Sequence, residues 1–342
     1  MNLLIITQKV DKDDQLLGFF IDWLRRFAEK FGKVTVLCLE KGRFDLPGNI
    51  KVISLGKDKG YSKIRQLSTF CFLLSTLKYD VVFVHMNPIW VVLGGPSWKI
   101  LHKKIFFWYT HKAVTPKLRL AEKFADVIFT ASKESFRLPS KKVVVTGHGI
   151  DTEIFRPMTN DQRPMTNDEI KILSVGRIAP VKNYETLINA AKILKEDGVN
   201  FSVSMVGEAA LNSDTRYLAS LKSKVKSLNL EDNFRFVGKI NNKELPPYYQ
   251  SHDIFIHLSK TGSLDKTILE AMACGMKVLS SNDSAKAFLS TELIFDQDNS
   301  RELADKIQAV NQSQNDSGLR NYVMQNHNLD NLINKISERI KS

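Results

Sequence analysis

Cysteine is scarce in this chain. The three residues Cys38, Cys71 and Cys274 stand far apart among 342, with no Cys-x-x-Cys pair and no Cys/His cluster at zinc spacing. That excludes a disulfide scaffold and a structural zinc module, and reduced thiols in a cytosolic setting are the expectation. Long apolar runs are missing as well. The longest, FCFLLSTL at 70–77 and IWVVLGG at 89–95, fall well short of the roughly 20 residues that span a bilayer. The opening MNLLIIT has neither the basic stretch nor the small-residue cleavage site of a secretion signal, so no membrane span and no leader is expected. Hydrophobic residues at 43% and charged residues at 25% are ordinary for a globular protein, which argues against long disorder and collagen-like repeats. The length favours two or three domains.

Acidic residues are in short supply only in the first half. Residues 1–155 hold 25 Lys+Arg against 14 Asp+Glu, whereas residues 156–342 hold 24 against 23, so nearly all of the net charge of +12 belongs to the first half. The surplus gathers after Lys51 and around Lys103, Lys104, Lys112, Lys117, Arg119, Lys141 and Lys142. Most single lysines serve a solvated surface. An asymmetry this complete predicts that one half meets anions: a phosphate-bearing acceptor, the anionic leaflet of a membrane, or nucleic acid. No RNA-recognition, zinc-finger or helix-turn-helix signature accompanies the charge, so a specific nucleic-acid partner is not expected.

Short apolar runs alternate with helical patterns in both halves, which predicts parallel sheets with crossover helices, an α/β fold. The first half offers strands at 3–7, 34–39, 51–55, 81–85, 105–110, 127–131 and 142–147, with a helix pattern over 16–31. The second restarts at KILSVG (171–176), followed by FSVSMVG (201–207), FRFVG (234–238), DIFIHLS (253–259), KVLSS (277–281) and LIFD (293–296). Helices are predicted at Tyr184 to Glu196, Leu218 to Leu228 and Leu329 to Ile340. Between the halves RPMTND occurs twice, at 156–161 and 163–168, a composition suited to an exposed linker. The expected organisation is a first Rossmann-like domain at 1–155, a linker at 156–168, a second such domain at 169–325 and a C-terminal helix at 326–342.

Ligands of open parallel sheets bind beyond the carboxyl ends of the strands. There the second half places Arg177 and Lys182 after KILSVG, Glu208 after FSVSMVG, and the small-residue loop of KTGSLDKTILEAMACG after DIFIHLS, with Glu270 two turns into its helix. Two cations facing a loop that opens a helix can hold a diphosphate from both sides, with loop N–H groups adding directional bonds. A carboxylate such as Glu270 can accept both hydroxyls of a cis-diol.

SVGRIAPVKNYETLINAAKIL followed by LEAMACGMKVLSS resembles the nucleotide-sugar-binding domain of the retaining glycosyltransferases of family 4. THKAV, TGHGIDTEIFRP, FRFVGKINNKELPPYYQSHDIFIHLS and VMQNHNLDNL resemble segments of the same family in matching order. The resemblance implies the GT-B architecture, two facing Rossmann-like domains with an interdomain cleft, the first binding the acceptor and the second the nucleotide sugar. It implies that Arg177 and Lys182 neutralise the donor diphosphate and that Glu270, the second acid of an E-x7-E motif, accepts the ribose hydroxyls. It further implies that Ser263 and Leu264 offer backbone amides to the phosphates, that Val237 and Gly238 hold the base through the main chain, and that His111 approaches the reacting sugar.

One departure stands out. Eight residues before Glu270 is Gly262, so the first acid is missing, and the usual glycine three residues later is Asp265. Either Asp265 supplies the lost carboxylate, which is favoured, or sugar binding has changed; Lys266 beside it either contacts phosphate or pairs with Asp265. His85 either lines the cleft or is structural, His148 is expected near the donor, and His102, His252, His257 and His327 look incidental. The acids of DKD (11–13) and DQD (296–298) are expected to shape loops, and neither an essential divalent metal nor a cofactor besides the nucleotide sugar is expected. The predicted activity is transfer of a sugar from a nucleoside-diphosphate sugar to a glycan or lipid-linked acceptor with retention. The alternative is a catalytically weakened nucleotide-sugar binder or scaffold. The expected location is cytoplasmic, with peripheral contact between the basic first half and an anionic membrane.

Overall fold

Runs of β-branched and aromatic residues buried on both faces need sheets covered on both sides, and the chain builds two of them. The computed structural model describes residues 1–14, 16–158, 169–259, 264–313 and 317–342. It divides into two compact units, 1–149 together with 326–342, and 150–325. Most of the sequence-defined linker, 159–168, lies outside the described residues.

In the first unit β1 (Asn2–Val10), β2 (Lys33–Lys41), β3 (Ile50–Ser54), β4 (Val81–His85), β5 (Lys104–Trp108), β6 (Val127–Thr130) and β7 (Val143–Val145) form a parallel sheet in the order β3-β2-β1-β4-β5-β6-β7. The crossover helices are α1 (Phe20–Lys30), α2 (Lys63–Thr76), α3 (Pro88–Ile100) and α4 (Pro116–Phe124). Each of the last three starts at a residue whose side chain accepts a backbone N–H of the first turn, Ser62, Asn87 and Thr115. Phe20, Ile21, Leu24 and Phe27 give α1 one buried face against the sheet, as the sequence pattern predicts, although the helix begins four residues later than the pattern, and Trp23 joins them.

The second unit contains β8 (Ile170–Val175), α5 (Tyr184–Glu196), β9 (Phe201–Val206), α6 (Asn212–Ser227), β10 (Phe234–Gly238), α7 (Pro246–Ser251), β11 (Ile254–His257), α8 (Lys266–Ala273), β12 (Lys277–Ser280), α9 (Ser300–Gln312) and α10 (Ser317–Asn326). Its sheet is parallel in the order β10-β9-β8-β11-β12. The segment LIFD, expected as a strand, makes a single parallel bridge, Ser280 to Ile294, and is no strand. The reason is local: a 3-10 turn at Thr291–Leu293 precedes it, and Asp296 turns the chain away by donating its N–H to the Glu302 carboxylate and accepting the Asp298 N–H.

The final helix α11 (Leu329–Lys341) buries Leu332, Ile333, Ile336 and Ile340 in the core of the first unit, beside Trp23 and Phe27 of α1. Arg26 of α1 reaches Asp330 at 2.6 Å. Among the described residues no helix is long and apolar enough to cross a membrane.

Candidate active site

In a doubly wound sheet the strand order reverses at one point, and the loops on either side diverge there to leave a crevice. In the second unit that point lies between β8 and β11. The chain leaves β8 through Gly176 and Arg177, makes a 3-10 turn at Pro180–Lys182 and enters α5. Asn183 takes a left-handed conformation, φ 43°, which asparagine tolerates better than most side chains. Its amide donates to the Gln297 carbonyl at 3.1 Å and the Asp298 carboxylate at 3.0 Å, which clamps the turn. Lys182 is aimed inward by that turn and is only 15% exposed.

On the other side of the reversal β11 ends at His257, and α8 begins after Asp265, whose Oδ1 accepts the Thr267 N–H at 3.3 Å as the helix cap. Asp265 Oδ2 lies 2.7 Å from Lys182 Nζ and 3.2 Å from His257 Nε2, and the two nitrogens are 3.5 Å apart. Burial opposes ionisation of Asp265, yet the Lys182 ammonium and the His257 hydrogen bond hold its carboxyl well below the usual range. Desolvation pushes His257 down, so the ring is neutral near pH 7 and Nε2–H donates to Asp265.

One turn further along α8 Glu270 is buried with both oxygens engaged: Asn242 Nδ2 donates to Oε1 at 2.9 Å and the Tyr249 hydroxyl to Oε2 at 2.9 Å. Burial pushes its carboxyl up, against those two donors and the nearby Lys266 ammonium. Lys266, in the first turn of the same helix, is in turn pushed below the usual lysine range by burial, opposed by Glu270 and Asp265.

Close backbone approach brings the neighbouring strand ends to the same edge. Gly207 N–H donates to the Gly238 carbonyl at 2.8 Å, and a Cβ on Gly207 would stand 1.9 Å from the Gly176 carbonyl oxygen. Glu208 follows, its carbonyl accepting the Ile178 N–H at 3.0 Å and its carboxylate 3.9 Å from Lys239. Val237 and Gly238 end β10. Arg177 diverges from Lys182: half exposed, it faces the buried Asp214 of α6 at 3.8 Å.

The structure therefore brings Lys182, Asp265, Lys266 and Glu270 to one crevice, with Leu264 buried beside them. Gly262 and Ser263 lie outside the described residues. His111 belongs to the first unit, exposed after β5, where its Nδ1 accepts the Ala113 N–H at 3.1 Å. Three participants escaped the sequence reading. His257, which looked incidental, is a partner of Asp265, and Asn242 and Tyr249 fix Glu270. The only signal for His257 was its place at the end of a buried strand next to the reversal. His327, also read as incidental, accepts the His148 N–H at 3.2 Å within the first unit, where His85 is buried, stacked on Phe20 at 4.2 Å with Nδ1 3.2 Å from Thr7 Oγ1. Among the described residues no group of three or more His, Cys, Asp or Glu side chains is placed to hold a metal ion.

Residues 157–328, half of the chain, match the family described as glycosyl transferases group 1. Mannosylfructose-phosphate synthase of Agrobacterium fabrum is 31% identical over 149 residues, 42% of this chain and 33% of its own length. The amylovoran biosynthesis glycosyltransferase AmsK of Erwinia amylovora is 32% identical over 152 residues, 43% of this chain and 35% of its own. The chain thus spans about a third of the length of these curated relatives. Among solved structures, Anabaena HepE in complex with UDP superposes with a TM-score of 0.76 at 18% identity over 100% of both chains. Sucrose-phosphate synthase from Thermosynechococcus elongatus does so with a TM-score of 0.77 at 16% identity, over 99% of this chain and 98% of that one.

Proposed function

The chain belongs to the group 1 glycosyl transferases and has the GT-B fold of two Rossmann-like domains, and from that premise we propose that it moves a sugar from a nucleoside-diphosphate sugar to a glycan or lipid-linked acceptor, with retention at the anomeric carbon and without a divalent metal. The second unit binds the donor and the first receives the acceptor. The observation that carries the reading is the meeting of Lys182 with the start of α8 at the strand reversal, one turn before Glu270. The HepE structures contain UDP, and UDP with glucose, which supports a nucleotide sugar as the donor class.

A glycosidic bond to a diphosphate breaks through an oxocarbenium-like transition state in which negative charge collects on the leaving phosphate. Such a leaving group needs electrostatic stabilisation more than protonation, and preorganised cations and N–H groups give it at no reorganisation cost. Lys182 and Arg177 supply the charge, with Lys266 at the helix start. Backbone amides of Ser263 and Leu264 add directional bonds. Glu270 accepts the ribose hydroxyls, Val237 and Gly238 hold the base, Glu208 borders the donor, and His111 of the first unit meets the sugar. Attack from the face the diphosphate leaves gives retention without a protein nucleophile.

Peripheral contact of the first unit with an anionic membrane is supported by α2, which exposes Ile64, Leu67 and Phe72 next to Lys63 and Arg65. A nucleotide-sugar binder without turnover is the second reading, favoured by the acids that already engage both cations. Pure protein incubated with UDP-, GDP- and ADP-sugars and candidate acceptors, with and without EDTA, is expected to release one nucleoside diphosphate equally in both conditions. Lys182→Ala should slow that release roughly 100-fold in a protein that still folds, with a lowered melting temperature because Asp265 is left without its ammonium partner. Tight binding with no release under any condition selects the second reading, and neither binding nor release overturns both.

A further inference from the structure

A site that receives a diphosphate needs positive charge, and here the cation at the reversal is already answered by an acid from its own unit. Asp265 Oδ2 accepts from Lys182 Nζ at 2.7 Å and from His257 Nε2 at 3.2 Å, so two donors from opposite sides of the crevice converge on one oxygen. Lys182 comes from the turn after β8 and His257 from the last position of β11, and neither donor is exposed: His257 is 2% and Lys182 15% accessible. The other oxygen, Oδ1, accepts the N–H and hydroxyl of Thr267 at 3.3 and 3.2 Å. The second nitrogen of His257, Nδ1, is buried without a hydrogen-bond partner, so the ring spends its single N–H on Asp265.

Two convergent donors around one anionic oxygen form a receptor for an anionic oxygen of any origin. A phosphate oxygen has the charge and acceptor capacity that the Asp265 carboxylate has, and both cannot occupy the place together without like-charge repulsion in a partly buried site. We propose that Asp265 is an internal counter-anion that takes the phosphate's place between Lys182 and His257, so that a nucleoside diphosphate binds by exchanging one of its oxygens for the Asp265 carboxylate there. The proposal rests on the reading of Lys182 as a diphosphate ligand. Its consequence is selectivity: a bare phosphate gains little by trading one anion for another, whereas a ligand with further contacts along α8 repays the exchange.

Asparagine caps helices about as well as aspartate, so Asp265→Asn keeps the Thr267 contacts and removes the charge. Isothermal titration with inorganic pyrophosphate, and with whichever of UDP, GDP and ADP the wild type binds most tightly, is expected to show affinity raised about tenfold in Asp265→Asn, with the larger gain for pyrophosphate. Asp265→Ser, which also retains a capping oxygen, should move in the same direction and stands in if the asparagine variant melts early. Unchanged or weaker binding in both variants overturns the counter-anion. Lys182→Ala, titrated alongside, separates the two claims: if it binds pyrophosphate and nucleotide as the wild type does, the reading of Lys182 fails, and if it binds more weakly while Asp265→Asn gains nothing, only the counter-anion fails.

Discussion

At the scale of single residues the site is a set of charges whose partners come from far along the chain. Lys182 and Glu270 could be singled out only in combination, since a lone lysine or acid at a helix start is ordinary, and it was SVGRIAPVKN together with LEAMACG that carried the resemblance. Their supports were not legible, since His257, Tyr249 and Asn242 reach Asp265 and Glu270 across 8, 21 and 28 positions and meet them only through strand register and the placing of α7 and the 3-10 turn before it. Tyr249 is buried, and its hydroxyl gives Glu270 Oε2 the donor it accepts from, so its removal leaves that carboxylate less stable as an anion and held by Asn242 alone of the two donors. In Tyr249→Phe the loss of one hydrogen bond should cost about 1 kcal/mol of folding stability. If Glu270 holds the ribose, nucleoside diphosphate affinity should fall several-fold, whereas the 2′,3′-dideoxy nucleotide, with no diol to present, should bind the variant and the wild type alike. Titration with the two ligands decides it, and an equal loss for both would assign Tyr249 to packing alone.

At the scale of elements the hydrophobic runs were a good guide wherever a strand is buried on both faces, because such a run needs no alternation to be recognised. The predicted helix Tyr184 to Glu196 forms over those residues, and α6 forms but starts at Asn212, six residues before the apolar pattern, since polar residues fill its first turn. LIFD misled because three apolar residues in a row say nothing about a turn on each side of them. Equally hidden was the crowding of strand ends that shapes the crevice. Gly207 has φ +146° and leaves no room for a side chain, with the Gly176 carbonyl oxygen 1.9 Å from where a Cβ would stand. Gly207→Ala must therefore push β8 and β9 apart at the edge that carries Arg177 and Glu208. A backbone clash of this kind in a strained conformation is expected to cost about 3 kcal/mol. Urea unfolding of the variant checks this, and a loss below about 0.5 kcal/mol would mean that the strand ends yield easily.

At the scale of the whole molecule the chain enters the second unit after Gly149 and returns at Asn326, and the two crossings are pinned side by side within the first unit. A Cβ on Gly147, at φ +86°, would stand 2.0 Å from the Asn326 carbonyl oxygen, and the His148 N–H bonds to His327. The sequence announced the last helix through its i, i+3, i+4 pattern, but a pattern names the face that must be buried and not the surface that buries it. That surface is α1 and its sheet: Leu329, Leu332, Ile333, Ile336 and Ile340 join Trp23 and Phe27 in one core, whereas the two cores of the second unit draw only on residues 150–325. Five buried aliphatic side chains at about 1.5 to 3 kcal/mol each amount to roughly the whole stability of a typical domain. A chain ending at 325 should therefore lose the first unit's cooperative unfolding transition while keeping that of the second, and the isolated segment 150–325, which contains every proposed donor ligand but His111, should fold and bind the nucleoside diphosphate of the donor. Calorimetry of the two fragments tests this directly. A first unit that melts normally without α11 would mean that its core closes on α1 alone, and a second unit that fails to fold would mean that its two cores need the rest of the chain.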